Sequence, residues 1–153
     1  MKHSDIVVIG SGLAGLTAAL AGARQGKSVT MLTYGSGSLS LNSGVIDLLG
    51  YDVQHRLVRS PREAIAHLPE IHPYHKIGLA AVEQSIQFFK EFTSQAGFPY
   101  TGSLDTQIMV PTAVGTLKPT GLAPESLDGS ELMAKKRIIV VGIKGLKDFY
   151  ADL

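Results

Sequence analysis

The residues that most constrain the fold lie near the start of the chain, where an apolar run leads into three glycines. Residues 6–9 read Ile-Val-Val-Ile and are all β-branched, which favours a parallel strand buried on both faces. The next glycines, Gly10, Gly12 and Gly15, have the G-x-G-x-x-G spacing of a dinucleotide-binding turn. Because the chain holds 17 glycines in 153 residues, this spacing is informative only between a strand and a helix.

The residues after the glycines complete a β-α-β unit. Leu13, Leu16 and Leu20 recur at helical spacing, and Gly26 is a typical helix stop. The apolar residues 29–33 predict a second strand, so the crossover has the usual length of about 30 residues. We therefore predict an α/β fold of the Rossmann-like FAD/NAD(P)-binding type, built on a parallel sheet.

Each glycine has its own physical role in such a turn. Gly10 lets the chain leave the strand through backbone angles that a Cβ atom forbids. Gly12 leaves room for a pyrophosphate against the main chain, and Gly15 allows close packing of helix on strand. The free N–H groups of Leu13 and Ala14 then point at the anion.

The end of the second strand departs from this pattern. An acidic residue usually stands there and accepts hydrogen bonds from the adenosine ribose, whereas this chain has Thr33. A neutral contact of this kind is roughly half as strong as a charge-assisted one. Two alternatives follow: Thr33 holds the ribose weakly, or the cofactor is a mononucleotide such as FMN.

A loop rich in small residues follows, from residue 35 to residue 50. Its position after the second strand, at the ligand-binding edge of an α/β sheet, favours contact with a cofactor, although such loops are often plain surface connections. Small side chains let the backbone approach a flat ring, and polar ones offer hydrogen bonds. We take Asn42, Ser43 and Gly44 as the candidate contacts.

The rest of the chain carries helix and strand signals that read as structural. A capping box at Ser60 predicts a helix that begins at Pro61, and a second helix is predicted over residues 79–96. Residues 106–121 predict two short strands. Residues 138–142 predict a buried strand, followed by a helix over residues 146–153.

Between the two predicted helices lies the segment His72-Pro73-Tyr74-His75, which we read as a loop. Nearby carboxylates or thiolates that would complete a metal site are missing from the sequence pattern, so we predict no metal. A histidine here is either a proton acceptor or structural, and the structural role is favoured.

The amino-acid composition excludes several classes of protein. The formal net charge of +1 gives no basic field for nucleic acid, and the lack of cysteine excludes disulfides and an iron-sulfur cluster held by this chain. With 44% hydrophobic residues the chain can form a real core, and a cytoplasmic protein is the simplest expectation.

Several segments together resemble the B subunits of the anaerobic glycerol-3-phosphate dehydrogenases. They are the glycine turn at residues 10–15, NSGVIDLL from Asn42, HPY from His72, PTAVGTLKPT from Pro111 and AKKRIIVVGIKGLKDF from Ala134. The resemblance implies a flavin-dependent, quinone-linked oxidation of glycerol 3-phosphate to dihydroxyacetone phosphate in anaerobic respiration. It also implies FMN, with FAD as the alternative, and fits Thr33 in place of an acid.

The resemblance further implies partners: a catalytic flavin subunit and an iron-sulfur subunit, which would hold the protein at the inner face of the cell membrane. The alternatives are a nonenzymatic scaffold or electron-relay subunit of the same complex, or another flavoprotein of the fumarate reductase type. The sequence identifies no catalytic residue.

The family's chains are much longer, so we expect an incomplete cofactor fold with the start of an inserted α+β segment. The expected parts are a dinucleotide-binding unit with a flavin-contacting loop (1–50), an inserted segment (51–133), and a strand with the start of a helix (134–153), where the domain is cut off at Leu153. Such a piece is expected to be inactive alone and to self-associate through uncovered apolar surface.

Overall fold

The computed structural model describes residues 3–146, apart from the side chain of Met133. The chain divides into two compact units, Met1–Gly44 and Val45–Leu153. The predicted helix over residues 146–153 lies almost wholly outside the described residues.

The first unit is the predicted β-α-β crossover. Strand β1 (Ile6–Ile9) leads into helix α1 (Leu13–Arg24), which returns to strand β2 (Val29–Leu32). The strands pair in parallel, with Ile6 opposite Val29. A carboxylate fixes this register, because Asp5 accepts hydrogen bonds from both the N–H and the hydroxyl of Ser28 at 2.8 Å. These bonds lower the pKa of Asp5.

The prediction that β1 is buried on both faces is wrong within the described residues. Val8 is buried, but the side chains of Val7 and Ile9 are 56% and 85% exposed. The reason is that, among residues 3–146, β1 has one neighbouring strand, β2, and that α1 packs on the sheet within this unit. The packing is close, since a Cβ atom on Gly22 would lie 2.8 Å from Ile6 Cδ1.

The second unit mixes short helices with antiparallel strand pairs. Its helices are α2 (Pro61–Ala66), α3 (Pro73–Ile77) and α4 (Leu79–Gln95). Strand β3 (Tyr100–Gly102) pairs with β6 (Leu122–Pro124), and β4 (Ile108–Pro111) pairs with β5 (Leu117–Thr120). The predicted helices at Pro61 and at residues 79–96 and the two short strands are therefore confirmed.

The segment after the loop of small residues packs into this second unit. Ile46 and Leu122 exchange two backbone hydrogen bonds, of 2.8 and 2.9 Å. Leu48 lies in a buried cluster whose members come from separate parts of the chain: Leu48, Ile65, Val82, Leu104 and Leu122. The division of the structure thus falls at Gly44, whereas the sequence placed the first boundary at residue 50. The second boundary, at residue 133, stays a prediction.

Two segments differ from expectation. Residues 73–77 form a helix where a loop was expected. Pro73 occupies the first helical position, where its fixed φ is favourable, and His72 caps the helix.

Residues 138–142 form no strand, and Ile139 is 87% exposed. A strand needs a hydrogen-bonding neighbour, and the described residues pair no strand with this segment.

Candidate functional site at the glycine turn

The turn between β1 and α1 contains two glycines that a residue with a side chain could not replace without strain, Gly10 because of its backbone conformation and Gly15 because of its close neighbours. Gly10 has φ of +101°, a region that residues with a Cβ atom rarely adopt, and its N–H donates to Leu32 O at 2.8 Å. A Cβ atom on Gly15 would lie 2.1 Å from Gly10 O. The two glycines therefore let α1 begin directly against the end of β1.

Gly12 leaves the start of α1 open. It is the N-cap residue, with extended φ and ψ of −72° and 178°, and no side chain of the described residues caps it. A Cβ atom on Gly12 would meet none of the described residues within 4 Å, apart from its two neighbours in the chain. The first N–H groups of α1, at Leu13 and Ala14, have no acceptor within the helix, so this end favours an anion.

Thr33 lies beside this turn and is engaged with it. Its hydroxyl oxygen is 2.8 Å from the Ser11 hydroxyl, and it donates to Gly35 O. It also accepts from Gly35 N–H at 3.2 Å, while the Ser11 hydroxyl donates to Gly35 O at 2.8 Å. The structure therefore brings Thr33 together with the residue between the first two glycines of the motif.

A further glycine, which the sequence pattern did not single out, supports the turn. Gly37 has φ of +69°, and a Cβ atom on it would lie 3.1 Å from both Gly12 N and Ser11 O. The loop after β2 thus packs its main chain against the turn. Ser11 and Gly37 are the residues that motif matching missed; their only sequence signals are a small residue inside the motif and a glycine in a Gly/Ser loop.

The candidate contacts in the loop form a local turn. Asn42 Oδ1 accepts from Gly44 N–H at 2.9 Å, and Gly44 has φ of +86°. Asn42 and Ser43 are exposed, and Gly44 is half-buried. Their role as cofactor contacts stays a prediction, because this hydrogen bond lies within the segment itself.

His72, a candidate proton acceptor in the sequence, has a local structural role. His72 Nδ1 accepts from Tyr74 N–H at 3.2 Å and caps α3, and the two rings lie 5.3 Å apart. Burial and, secondarily, the charge of Asp47 raise the pKa of Tyr74. In the described part of the chain, no group of three or more His, Cys, Asp and Glu residues could hold a metal ion.

Charged side chains in the second unit form ion pairs that connect its elements. Arg62 binds Glu83 and Asp105, each at 2.6 Å, and so links α2 to α4 and to the segment after β3. Hydrogen bonds from Arg62 are the main cause of the lowered pKa of both carboxyl groups. Asp47 accepts from Lys118 at 2.6 Å and from the buried Thr120 at 2.9 Å. These contacts hold the second unit together and identify no catalytic base.

The turn as a whole fits a phosphate-bearing cofactor. The Cβ position of Gly12 is open, Gly10 and Gly15 permit the tight crossover, and free N–H groups start α1. Among the helices of the described residues, none combines the length and hydropathy that a bilayer crossing requires.

Comparison with known proteins agrees with this geometry. The chain is 36% identical over 151 residues to the B subunit of a probable anaerobic glycerol-3-phosphate dehydrogenase of Halobacterium salinarum, a match that covers 98% of this chain and 35% of the relative. The corresponding protein of Vibrio cholerae is 36% identical over 158 residues, covering 97% of this chain and 35% of the relative. That of Pasteurella multocida is 31% identical over 155 residues, covering 97% and 36%.

The chain spans about a third of the length of the curated relatives that it matches. No solved structure matches it. A family model described as the FAD binding domain matches residues 5–153, which favours a flavin, and FAD rather than the FMN expected first. The match includes the glycine turn and the whole of the second unit, and the chain therefore belongs to the FAD binding domain family.

Proposed function

We propose that this chain is part of a flavin-dependent oxidoreductase that holds FAD at its glycine turn. The observation that carries the proposal is the open Cβ position of Gly12 at the uncapped start of α1, in a member of the FAD binding domain family. A pyrophosphate is the group that such a turn accommodates.

The proposed cofactor residues divide into two groups. The residues of the turn contact the pyrophosphate through their backbone: Gly10, Gly12, Leu13, Ala14 and Gly15. The loop residues Asn42, Ser43 and Gly44 lie on the chain after the turn and are proposed to reach the flavin itself. Thr33 stands where a ribose-binding acid is usual. FAD replaces FMN as the proposed flavin because the family model describes an FAD domain.

The proposed substrate is glycerol 3-phosphate, because the relatives at 31% to 36% identity are named after its dehydrogenase. A bound flavin would supply the acceptor for the hydride from C2 of glycerol 3-phosphate, and the hydroxyl proton would go to a base that is not among the residues assigned here. The residues of this chain contribute binding and orientation, through the N–H groups at the start of α1 and the fixed glycine turn.

The names of the relatives describe each of them as one lettered subunit of a dehydrogenase, which indicates that they work in a complex with other chains. For this protein we propose a catalytic flavin subunit and an iron-sulfur subunit as partners, with electrons passed toward quinone. Attachment to the inner face of the cell membrane would then come from these partners.

The test uses the protein at its natural length, produced with its partner subunits. The absorbance spectrum and the mass of the released cofactor identify the bound flavin. Glycerol 3-phosphate is then added without oxygen, and the flavin absorbance is measured again. We expect one FAD and a loss of absorbance near 450 nm, on the order of the full flavin band, as hydride is accepted.

Three other results would change the conclusion. Bound flavin that stays oxidised with glycerol 3-phosphate would indicate an electron-relay role or a different substrate. FMN in place of FAD would overturn the cofactor assignment. A complex in which this protein holds no flavin would overturn the proposal and leave a scaffold role.

Two glycine variants of the same complex connect the bound flavin to the turn. Gly12→Ala adds a methyl group where the pyrophosphate is proposed to lie, and we expect it to lower the amount of bound flavin. Gly50→Ala is the matched control, because a Cβ atom at Gly50 meets open space and because this residue follows the candidate contacts Asn42 to Gly44 and belongs to the second unit. Equal flavin content in the two variants would count against the turn as the site.

A further inference from the structure

We propose that Thr33 is a positioning residue, whose hydroxyl holds the glycine turn in shape through Ser11 and Gly35 and does not hold an adenosine ribose. The inference rests on the proposed function, because it assigns a role within the same flavin site. It concerns the position where the usual acidic residue is replaced.

The hydrogen-bonding capacity of Thr33 carries the argument. A hydroxyl group has one proton to donate and two lone pairs to accept with. Thr33 donates its proton to Gly35 O, and Gly35 N–H occupies one lone pair. The Ser11 hydroxyl lies 2.8 Å from the same oxygen. Ser11 has a single proton as well, which it shares between this oxygen and Gly35 O. Thr33 therefore has no proton left to donate to a ribose, and at most one lone pair, for which Ser11 competes.

The partners of Thr33 are parts of the turn itself. Ser11 stands between Gly10 and Gly12, and its hydroxyl also donates to Gly35 O at 2.8 Å. The main chain at Gly37 packs against the Ser11 to Gly12 peptide. Thr33, Ser11 and Gly35 therefore connect the end of β2 to the peptide that would face the phosphate.

This role makes a prediction that a ribose contact does not. Loss of the Thr33 hydroxyl would loosen a turn that binds phosphate, a group that FAD and FMN share. Binding of both flavins would weaken by the same factor. A ribose contact, in contrast, would affect only FAD, because FMN has no adenosine.

The experiment compares Thr33→Val with Thr33→Ser and with the matched control Thr30→Val. Valine keeps the β-branched shape and removes the hydroxyl, whereas serine keeps the hydroxyl. Thr30 lies on β2, which ends just before Thr33, and its hydroxyl is 2.5 Å from that of Ser4, away from the turn. Each variant is made at natural length with the partner subunits, and dissociation constants for FAD and FMN are measured on the flavin-free protein.

Amide hydrogen exchange of peptides covering residues 10–16, in flavin-free protein, gives a second readout. We expect Thr33→Val to speed exchange there and to weaken FAD and FMN alike, by about threefold to tenfold. Thr33→Ser should restore both readouts, and Thr30→Val should leave both near the wild-type values.

Two results would overturn the inference: weaker FAD binding with FMN unchanged, or wild-type exchange at the turn in Thr33→Val. If the wild-type protein bound neither flavin, the proposed function would fail, and the exchange comparison alone would still decide whether Thr33 holds the turn.

Discussion

A Cβ atom on Gly15 would lie 2.1 Å from the carbonyl oxygen of Gly10 and 3.4 Å from Val8 Cγ1. The first distance is far below any normal contact, and the neighbouring atom belongs to the backbone, which cannot turn aside. The packing of α1 on β1 therefore depends on a hydrogen atom in place of a side chain at position 15, five residues after Gly10.

Replacement of Gly15 by alanine should destabilise the first unit. Relieving the clash requires α1 to move away from β1, and such overpacking costs about 1 to 3 kcal/mol. The urea midpoint of unfolding measures the effect, with Gly50→Ala as the control, since its Cβ atom meets open space. Equal midpoints for the two variants would contradict the observed packing.

Replacement of Gly12 by alanine should separate binding from stability. Its φ of −72° suits any residue and its Cβ atom meets no neighbour, so the loss of stability should stay under about 1 kcal/mol. The added methyl group would occupy the space proposed for the pyrophosphate, and flavin affinity should fall by at least about tenfold. Titration of the flavin-free protein measures this, and unchanged affinity would place the phosphate elsewhere.

The contribution of Arg62 to stability should depend on pH. Its hydrogen bonds hold the pKa of Glu83 below the ordinary 4.5 and that of Asp105 below the ordinary 3.8. A lowered folded pKa stabilises the protein above the ordinary value, and this contribution is lost as pH falls through the folded pKa. Arg62→Gln should therefore lower the urea midpoint at neutral pH and approach the wild-type midpoint in acid.

The matched control for this series is Arg56→Gln. The pKa of Asp52 is lowered first by the backbone N–H of Arg56, which glutamine keeps, so most of the acid dependence should survive. A difference between wild type and Arg62→Gln that stays constant down to about pH 2.5 would indicate that Arg62 acts through packing and not through charge.

The apolar segment at residues 138–142 should promote self-association of the 153-residue chain. Ile139 is 87% exposed within a run of exposed β-branched residues. Ile139→Ser should weaken concentration-dependent association by about tenfold, measured by sedimentation velocity. Val114, which is 84% exposed in the turn between β4 and β5, supplies the control Val114→Ser. Equal association of the two variants would exclude this segment as the contact.

Local signals predicted much of the secondary structure. The β-branched residues of β1 and the capping box at Ser60, whose hydroxyl accepts from Glu63 N–H at 3.3 Å, act within a few residues. The helix at residues 73–77 is not predicted by the sequence, because proline breaks a helix from inside but favours its first position, and local pattern does not show which applies.

The sequence by itself determined the β-α-β crossover and the glycine positions at its turn, because strand propensity, helical spacing and the need for positive φ are properties of neighbouring residues. Only the tertiary structure decided that Thr33 meets Ser11, 22 residues away, and that Ile46 pairs with Leu122. It also left residues 138–142 without a strand partner among the described residues. These outcomes depend on which groups far apart in the sequence form hydrogen bonds with one another, and a pattern of neighbouring residues does not determine those partners.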